Sequence, residues 1–241
     1  MSKTVKAAIK EGREALKLKN YTEALNAFSR AAEQYEALET PEEGLDAVYF
    51  EWAHALYRAE QPGEALKKIS LFLEKLTAFP DDLQERLQYL LAQCHFEHAQ
   101  QIQQEQPEKA HSHYHKALGY HGLTPEQRAD AYYKQGVVLT RLKDFKAASH
   151  SLHNALDCYA QQQQSFWVGM TRLKIGMLAL TQGQVEPAQA EALKVISQLE
   201  ADPNPAEHAV LKTAYDLMAE LCQYQKDPEG TKHWRERSEL L

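Results

Sequence analysis

Apolar residues keep helical spacing from one end of this chain to the other and leave no segment with the character of an independent sheet. The pattern predicts about twelve helices and no strands. A longer period lies on top of it. In four of six units a small residue stands twelve positions ahead of another small residue, and in five of the six a large apolar or aromatic residue stands four further on. The second small residues are Ala24, Ala65, Ala110, Ala148, Ala188 and Gly230, separated by steps of 41, 45, 38, 40 and 42. A period of this length signals stacked helix pairs, each too small to bury its apolar face alone.

The fourth unit, ADAYYKQGVVLTRLKDFKAASHSLHNAL, carries the pattern most clearly, with Gly136 and Ala148 as the small pair, Leu152 as the large follower and Ala155 as another small residue. The fifth places Gly176, Ala188, Ala192 and Val195 in the same positions, and the first Gly12, Ala24, Phe28 and Ala31. The second keeps Ala53, Ala65 and Ile69, the sixth Met218, Gly230 and Trp234, and the third Ala110, Tyr114 and Ala117 behind an irregular first helix. Over nearly its whole length the chain thus resembles the tetratricopeptide repeat family. The resemblance implies an all-α fold, a right-handed superhelical solenoid of about six antiparallel helix pairs, and says nothing of the ligand.

A glycine inside a helix costs about 1 kcal/mol relative to alanine, yet Gly12, Gly136 and Gly176 all fall mid-helix. Close approach of the second helix of each pair offsets that cost: two facing small residues bring the backbones together, and Phe28, Ile69, Tyr114 or Leu152 fills the adjoining groove.

One repeat domain over residues 1–241 is expected, with units at about 2–40, 41–80, 81–122, 123–164, 165–202 and 203–241. Prolines fit this register. Pro41, Pro80, Pro125, Pro203 and Pro205 fall between units, while Pro62, Pro107, Pro187 and Pro228 stand near the starts of second helices, where proline is tolerated. Short connections such as Leu18 to Asn20 and Gln182 to Gln184 imply antiparallel partners. In the third unit, Leu83, Leu87, Leu90, Leu91, Cys94 and Ile102 keep helical spacing without a breaker from Asp81 to about Gln104, predicting a longer first helix. Gln161 to Gln164 reads as the polar end of the long helix before it. The last helix, DPEGTKHWRERSELL, has Lys232, Arg235, Glu236, Arg237 and Glu239 to make it its own polar cap.

Function in such an array resides on surfaces, with first helices lining the concave face. Inward positions are expected three and two before the small residue of each first helix, and one, four and five after it. They comprise Ile9, Lys10, Arg13, Leu16 and Lys17 in the first unit and Phe50, Glu51, His54, Tyr57 and Arg58 in the second. The fourth adds Tyr133, Lys134, Val137, Thr140 and Arg141, the fifth Leu173, Lys174, Met177, Leu180 and Thr181, and the sixth Tyr215, Asp216, Ala219, Cys222 and Gln223.

Charge changes this picture. The chain carries a formal net charge of -7, yet these positions hold seven cations against Glu51 and Asp216. Basic side chains interleaved with aromatic ones suit a partner protein's peptide that alternates acidic and apolar residues. The expected groove residues are Arg13, Lys17, Phe50, His54, Tyr57, Arg58, Tyr133, Lys134, Arg141, Lys174 and Met177. The alternative is a structural or self-associating subunit that uses its ends and convex face. One subgroup of the family grips a C-terminal carboxylate with lysine and asparagine side chains on successive first helices. The corresponding places here are Ile9 and Arg13, then Glu51, so that clamp is missing.

An acidic chain with pI near 5.9 opposes nonspecific attraction to nucleic acid. Its apolar segments fall short of the roughly 20 residues of a membrane span, and a cytoplasmic location without targeting signals is expected. Cys94, Cys158 and Cys222 are expected as free, buried thiols, being odd in number and widely spaced. His95, His98, His111, His113, His115 and His121 form a sequence cluster in which His111 and His115 share a helical face with Glu108 one turn before. Without a paired cysteine motif or HExxH, they read as polar surface histidines. Neither phosphate loop nor nucleophile elbow is present, so neither catalysis nor a cofactor is expected.

Overall fold

The structure, a computed structural model, describes residues 3–37, 45–75, 81–201 and 204–241. Among them are twelve α-helices and no strand, arranged as consecutive antiparallel pairs: α1 (Lys3–Lys17) with α2 (Tyr21–Glu36), α3 (Leu45–Arg58) with α4 (Pro62–Lys75), and α5 (Asp81–Ile102) with α6 (Pro107–Gly119). Then follow α7 (Pro125–Arg141) with α8 (Phe145–Gln161), α9 (Ser165–Thr181) with α10 (Val185–Ala201), and α11 (His208–Tyr224) with α12 (Pro228–Glu239), a 3-10 turn at Pro205–Glu207 preceding α11.

Helix α5 is 22 residues long against 12 to 17 for the others, as its unbroken apolar spacing predicts. Pro62, Pro107, Pro125 and Pro228 each open a helix, and Pro187 sits in the first turn of α10, where a missing N–H removes no internal bond. Pro41, Pro80 and Pro203 lie outside the described residues. The glutamine run divides: Gln161 ends α8, and Gln162 to Gln164 form the connection to α9.

The notch between paired helices is real. A Cβ on Gly12 would fall 2.8 Å from the Phe28 ring, and one on Gly136 would fall 2.7 Å from Leu152 Cγ and 3.3 Å from the Ala148 carbonyl oxygen. Ala24, Ala65, Ala110, Ala148 and Ala188 are all fully buried.

Five of the six turns within pairs share one three-residue design. The middle residue is left-handed in each: Lys19 (φ 58), Glu60 (φ 59), Lys143 (φ 62), Gly183 (φ 72) and Lys226 (φ 61). The residue after it closes the turn from its own N–H, as in Asp144 to Leu139 O at 3.0 Å and Asp227 to Cys222 O at 2.8 Å. This is the Schellman closure of a helix C-terminus. In three turns the same residue caps the next helix: the Asn20, Asp144 and Asp227 side chains accept from Glu23, Ala147 and Gly230 N–H. Ending one helix and starting the next in three residues forces the antiparallel return.

Contacts divide the chain into two compact units. One comprises the residues up to Glu105 with Ser112–Leu123, and the other Gln106–His111 with Thr124–Leu241. The core of the first joins Val5, Phe28, Tyr35, Val48, Ile69, Phe72, Leu87 and Cys94. In the second, Leu173, Val195, Leu211, Leu217 and Leu221 belong to one apolar cluster, and Leu139, Ala148, Leu152 and Leu178 form another. Helix α12 is held mainly by polar contacts: Lys212 Nζ donates to Ser238 O at 2.8 Å, Ser238 Oγ donates to Asp216 at 2.6 Å, and Trp234 packs on Tyr215 at 5.7 Å between centroids.

Candidate binding clefts

Within the first unit, Phe50, His54 and Tyr57 lie at i, i+4 and i+7 on α3, so all three point from one face. The facing helix α5 supplies Glu85, Arg86, Tyr89 and Leu90, and the two faces enclose a cleft of about 400 Å³. Its floor is the buried Phe50 ring. The Arg86 guanidinium lies over that ring, 4.4 Å from the centroid, and His54 stacks beside it at 6.4 Å with an interplanar angle of 8°. Tyr89 stands at the rim, 53% exposed. Burial, and secondarily the nearby Arg58 and Arg86, lower the His54 imidazole below its ordinary value against the pull of Glu51. The cleft therefore presents a neutral imidazole and a cation beside an aromatic floor. Tyr57 donates to Glu97 Oε1 at 3.0 Å, and its phenol is held in the protonated form by burial and then by that carboxylate. Beyond Tyr57 a second opening of about 500 Å³ is lined by Arg58, Glu60, Glu97, Gln100 and Gln101.

In the second unit the comparable opening lies between α9 and α11. Met177, Leu180 and Thr181 face Glu220, Gln223 and Tyr224 across about 680 Å³.

The sequence-predicted residues divide accordingly. Phe50, His54 and Tyr57 come together in the α3/α5 cleft, Arg58 stands next to it, and Met177 lines the α9/α11 cleft. Arg13 and Lys17 are exposed on α1, Arg141 is exposed at the end of α7, and Lys174 is half-buried on α9. Tyr133 is half-buried and packs edge-on against Trp167 at 5.9 Å. The basic strip is partly neutralised. Arg13 donates from Nε and Nη2 to Glu51 Oε1 at 3.1 and 2.9 Å, and Lys134 pairs with Asp130 at 2.8 Å. Asp130 stands one turn before Lys134, outside the positions the repeat register selects.

Several inward assignments require correction. Ile9, Leu173, Tyr215, Ala219 and Cys222 belong to the core. Tyr215 is covered by α12, with the Arg237 guanidinium 4.6 Å from its ring centre, and its hydroxyl donates to Glu200 at 2.6 Å. Among the cysteines, all free, Cys94 and Cys222 are buried but Cys158 is half-buried. The histidines are not a uniformly solvated set either. His95 is buried and its Nδ1 lies 2.7 Å from His113 Nδ1. Among the described residues no group of three or more His, Cys, Asp or Glu side chains is arranged to hold a metal ion, and no helix is long and apolar enough to cross a membrane.

Arg86, Tyr89, Glu220 and Tyr224 were invisible to the register. The first two belong to the N-terminal half of α5, several turns ahead of the place where the third unit's small residue belongs, and the signal that finds them is the length of that helix.

No protein-family model matches the chain, and no curated protein sequence does. Solved structures do resemble it. BtubC (BKLC) from P. vanneervenii is 15% identical, with 98% of this chain and 88% of that one covered and a TM-score of 0.54. The MamA protein is 16% identical, with 83% of this chain and 94% of that one covered and a TM-score of 0.51. At these identities the likeness is one of fold.

Proposed function

We propose that this chain, tetratricopeptide-like in fold, is a non-catalytic interaction scaffold that holds a partner protein's peptide, with the α3/α5 cleft as its principal anchor. The observation that carries the reading is the Arg86 guanidinium over the Phe50 ring at 4.4 Å, beside His54 and the exposed Tyr89. An apolar side chain of the peptide inserts against Phe50, Tyr89 and Leu90, and a neighbouring carboxylate meets Arg86 and Arg58. Aromatic residues and arginine are the side chains that most often dominate such contacts, because they combine large desolvated area with directional donors. The α9/α11 cleft, with Met177, Leu180 and Tyr224 but Glu220 as its charge, accepts an apolar segment without the acidic requirement.

Panning a random peptide library on the purified protein tests the assignment. Enriched sequences carry an apolar residue with Asp or Glu within a few positions and lose binding to Arg86→Glu. Enrichment of basic peptides, or equal capture by Arg86→Glu, contradicts it.

A further inference from the structure

Counting twelve back from Ala110 reaches His98, where the other pairs have Gly12, Ala53, Gly136, Gly176 and Met218. No small residue stands there on α5, and histidine rings of α5 and α6 meet instead. His98 meets the His113 ring edge-on, with centroids 4.8 Å apart and an interplanar angle of 83°. His113 Nδ1 is 2.7 Å from His95 Nδ1, and His95 stacks on Tyr120 at 5.9 Å. Beneath His98, Gly63 of α4 leaves the room the ring needs, since a Cβ there would fall 2.9 Å from His98 Cε1.

A contact between two Nδ1 atoms at that distance requires one to donate and the other to accept, so the pair holds one proton between them on that edge. A second proton there turns the hydrogen bond into two N–H groups pointed at each other and makes one ring positive, in a site only 6% exposed at His95. The groups acting on His95 are His113 and Lys116 of α6 and His98 of its own helix, and each opposes positive charge there. The nearest acid on α5, Glu97, is engaged by the Tyr57 hydroxyl of α3 at 3.0 Å and also bears on Cys94.

We propose that the seam of His95, His98 and His113 is an acid-sensitive joint, in which a second proton on the facing Nδ1 atoms loosens Ser112–Gly119 of α6 from α5. Burial first, and then His113, Lys116 and His98, hold the His95 imidazole at about 3 against the ordinary 6.5. With the seam closed, His95 is neutral at every physiological pH; with it open, the ring takes up a proton at its ordinary value. Acid therefore favours the open form. The closed state keeps its full stability above 6.5 and loses it progressively as the pH falls towards about 3.

Amide hydrogen exchange on the full chain at pH 7.5 and pH 5.0, corrected for intrinsic rates, tests the joint. Expected is a loss of protection by roughly ten-fold or more at pH 5.0 over Ser112–Gly119 and the facing half of α5, with α1 and α2 unchanged. In His95→Gln, which retains a polar side chain but cannot titrate, the acid-specific loss shrinks to a small fraction of that. Even loss across all pairs, no loss in the seam, or an undiminished loss in His95→Gln overturns the proposal. If His95→Gln does not fold at pH 7.5, His113→Gln takes its place, and the wild-type pH comparison decides by itself whether the seam responds to acid.

Discussion

The Arg86 guanidinium rests 4.4 Å above the centre of the Phe50 ring, joining α5 to α3 across an open cleft. Phe50 is buried and Arg86 exposed, which separates stability from binding. Phe50→Ala is expected to cost about 3–5 kcal/mol in a denaturant melt. Arg86→Ala removes an exposed cation–π contact and costs about 0.5–1 kcal/mol, yet abolishes capture of acidic peptides. Equal effects of the two substitutions on stability would refute this division of labour.

Ala148 closes against Gly136, and its carbonyl oxygen lies 3.3 Å from where a Cβ on that glycine would sit. Ala148→Leu overpacks the α7/α8 notch and is expected to lower stability by roughly 1–3 kcal/mol. An unchanged thermal midpoint would mean the helices do not meet there.

Lys143 occupies the left-handed middle position of its turn at φ 62 without the help of a missing side chain. Glycine removes a cost of about 1–2 kcal/mol and adds about 0.5–1 kcal/mol of chain entropy. Lys143→Gly is therefore expected to raise the urea midpoint slightly, by the equivalent of about 0.5–1 kcal/mol. The converse change at Gly183 (φ 72), Gly183→Lys, lowers it.

Burial raises all three cysteine thiols, with Glu97 adding to the effect at Cys94 and Asp227 at Cys222, whereas Arg128 works against it at Cys158. Cys158 is the half-buried one. A thiol reagent at pH 8 is expected to modify Cys158 first and Cys94 only on unfolding. Simultaneous modification of all three in the native protein would contradict the packing of α5.

The repeat was legible because its physics is local. A glycine on one helix, an alanine on the next and three residues between them recur in sequence, and Gly12 against Phe28 and Gly136 against Leu152 meet as that recurrence requires. The left-handed turns were not legible, since Lys19, Glu60, Lys143 and Lys226 carry no mark of their conformation. The α3/α5 cleft was half legible. Phe50, His54 and Tyr57 follow from the register of a regular helix, but Arg86 and Tyr89 lie on the extended part of α5, where the register has no counterpart. Ion pairing was also beyond reach: Glu51 was counted and its bond to Arg13 was not, because pairing depends on side-chain direction across 38 residues of sequence.

Site-specific photocrosslinking most directly tests whether first-helix clefts hold the partner. A benzophenone amino acid replaces Tyr89 or Tyr224 in the clefts, or the exposed Leu71 or Leu193 on the second helices α4 and α10, in extracts of the source cells. The account predicts a discrete adduct from Tyr89, lost when Arg86→Glu is added, and none from Leu71 or Leu193. Adducts from Leu71 or Leu193 with none from Tyr89 would contradict it and assign binding to the outer helices.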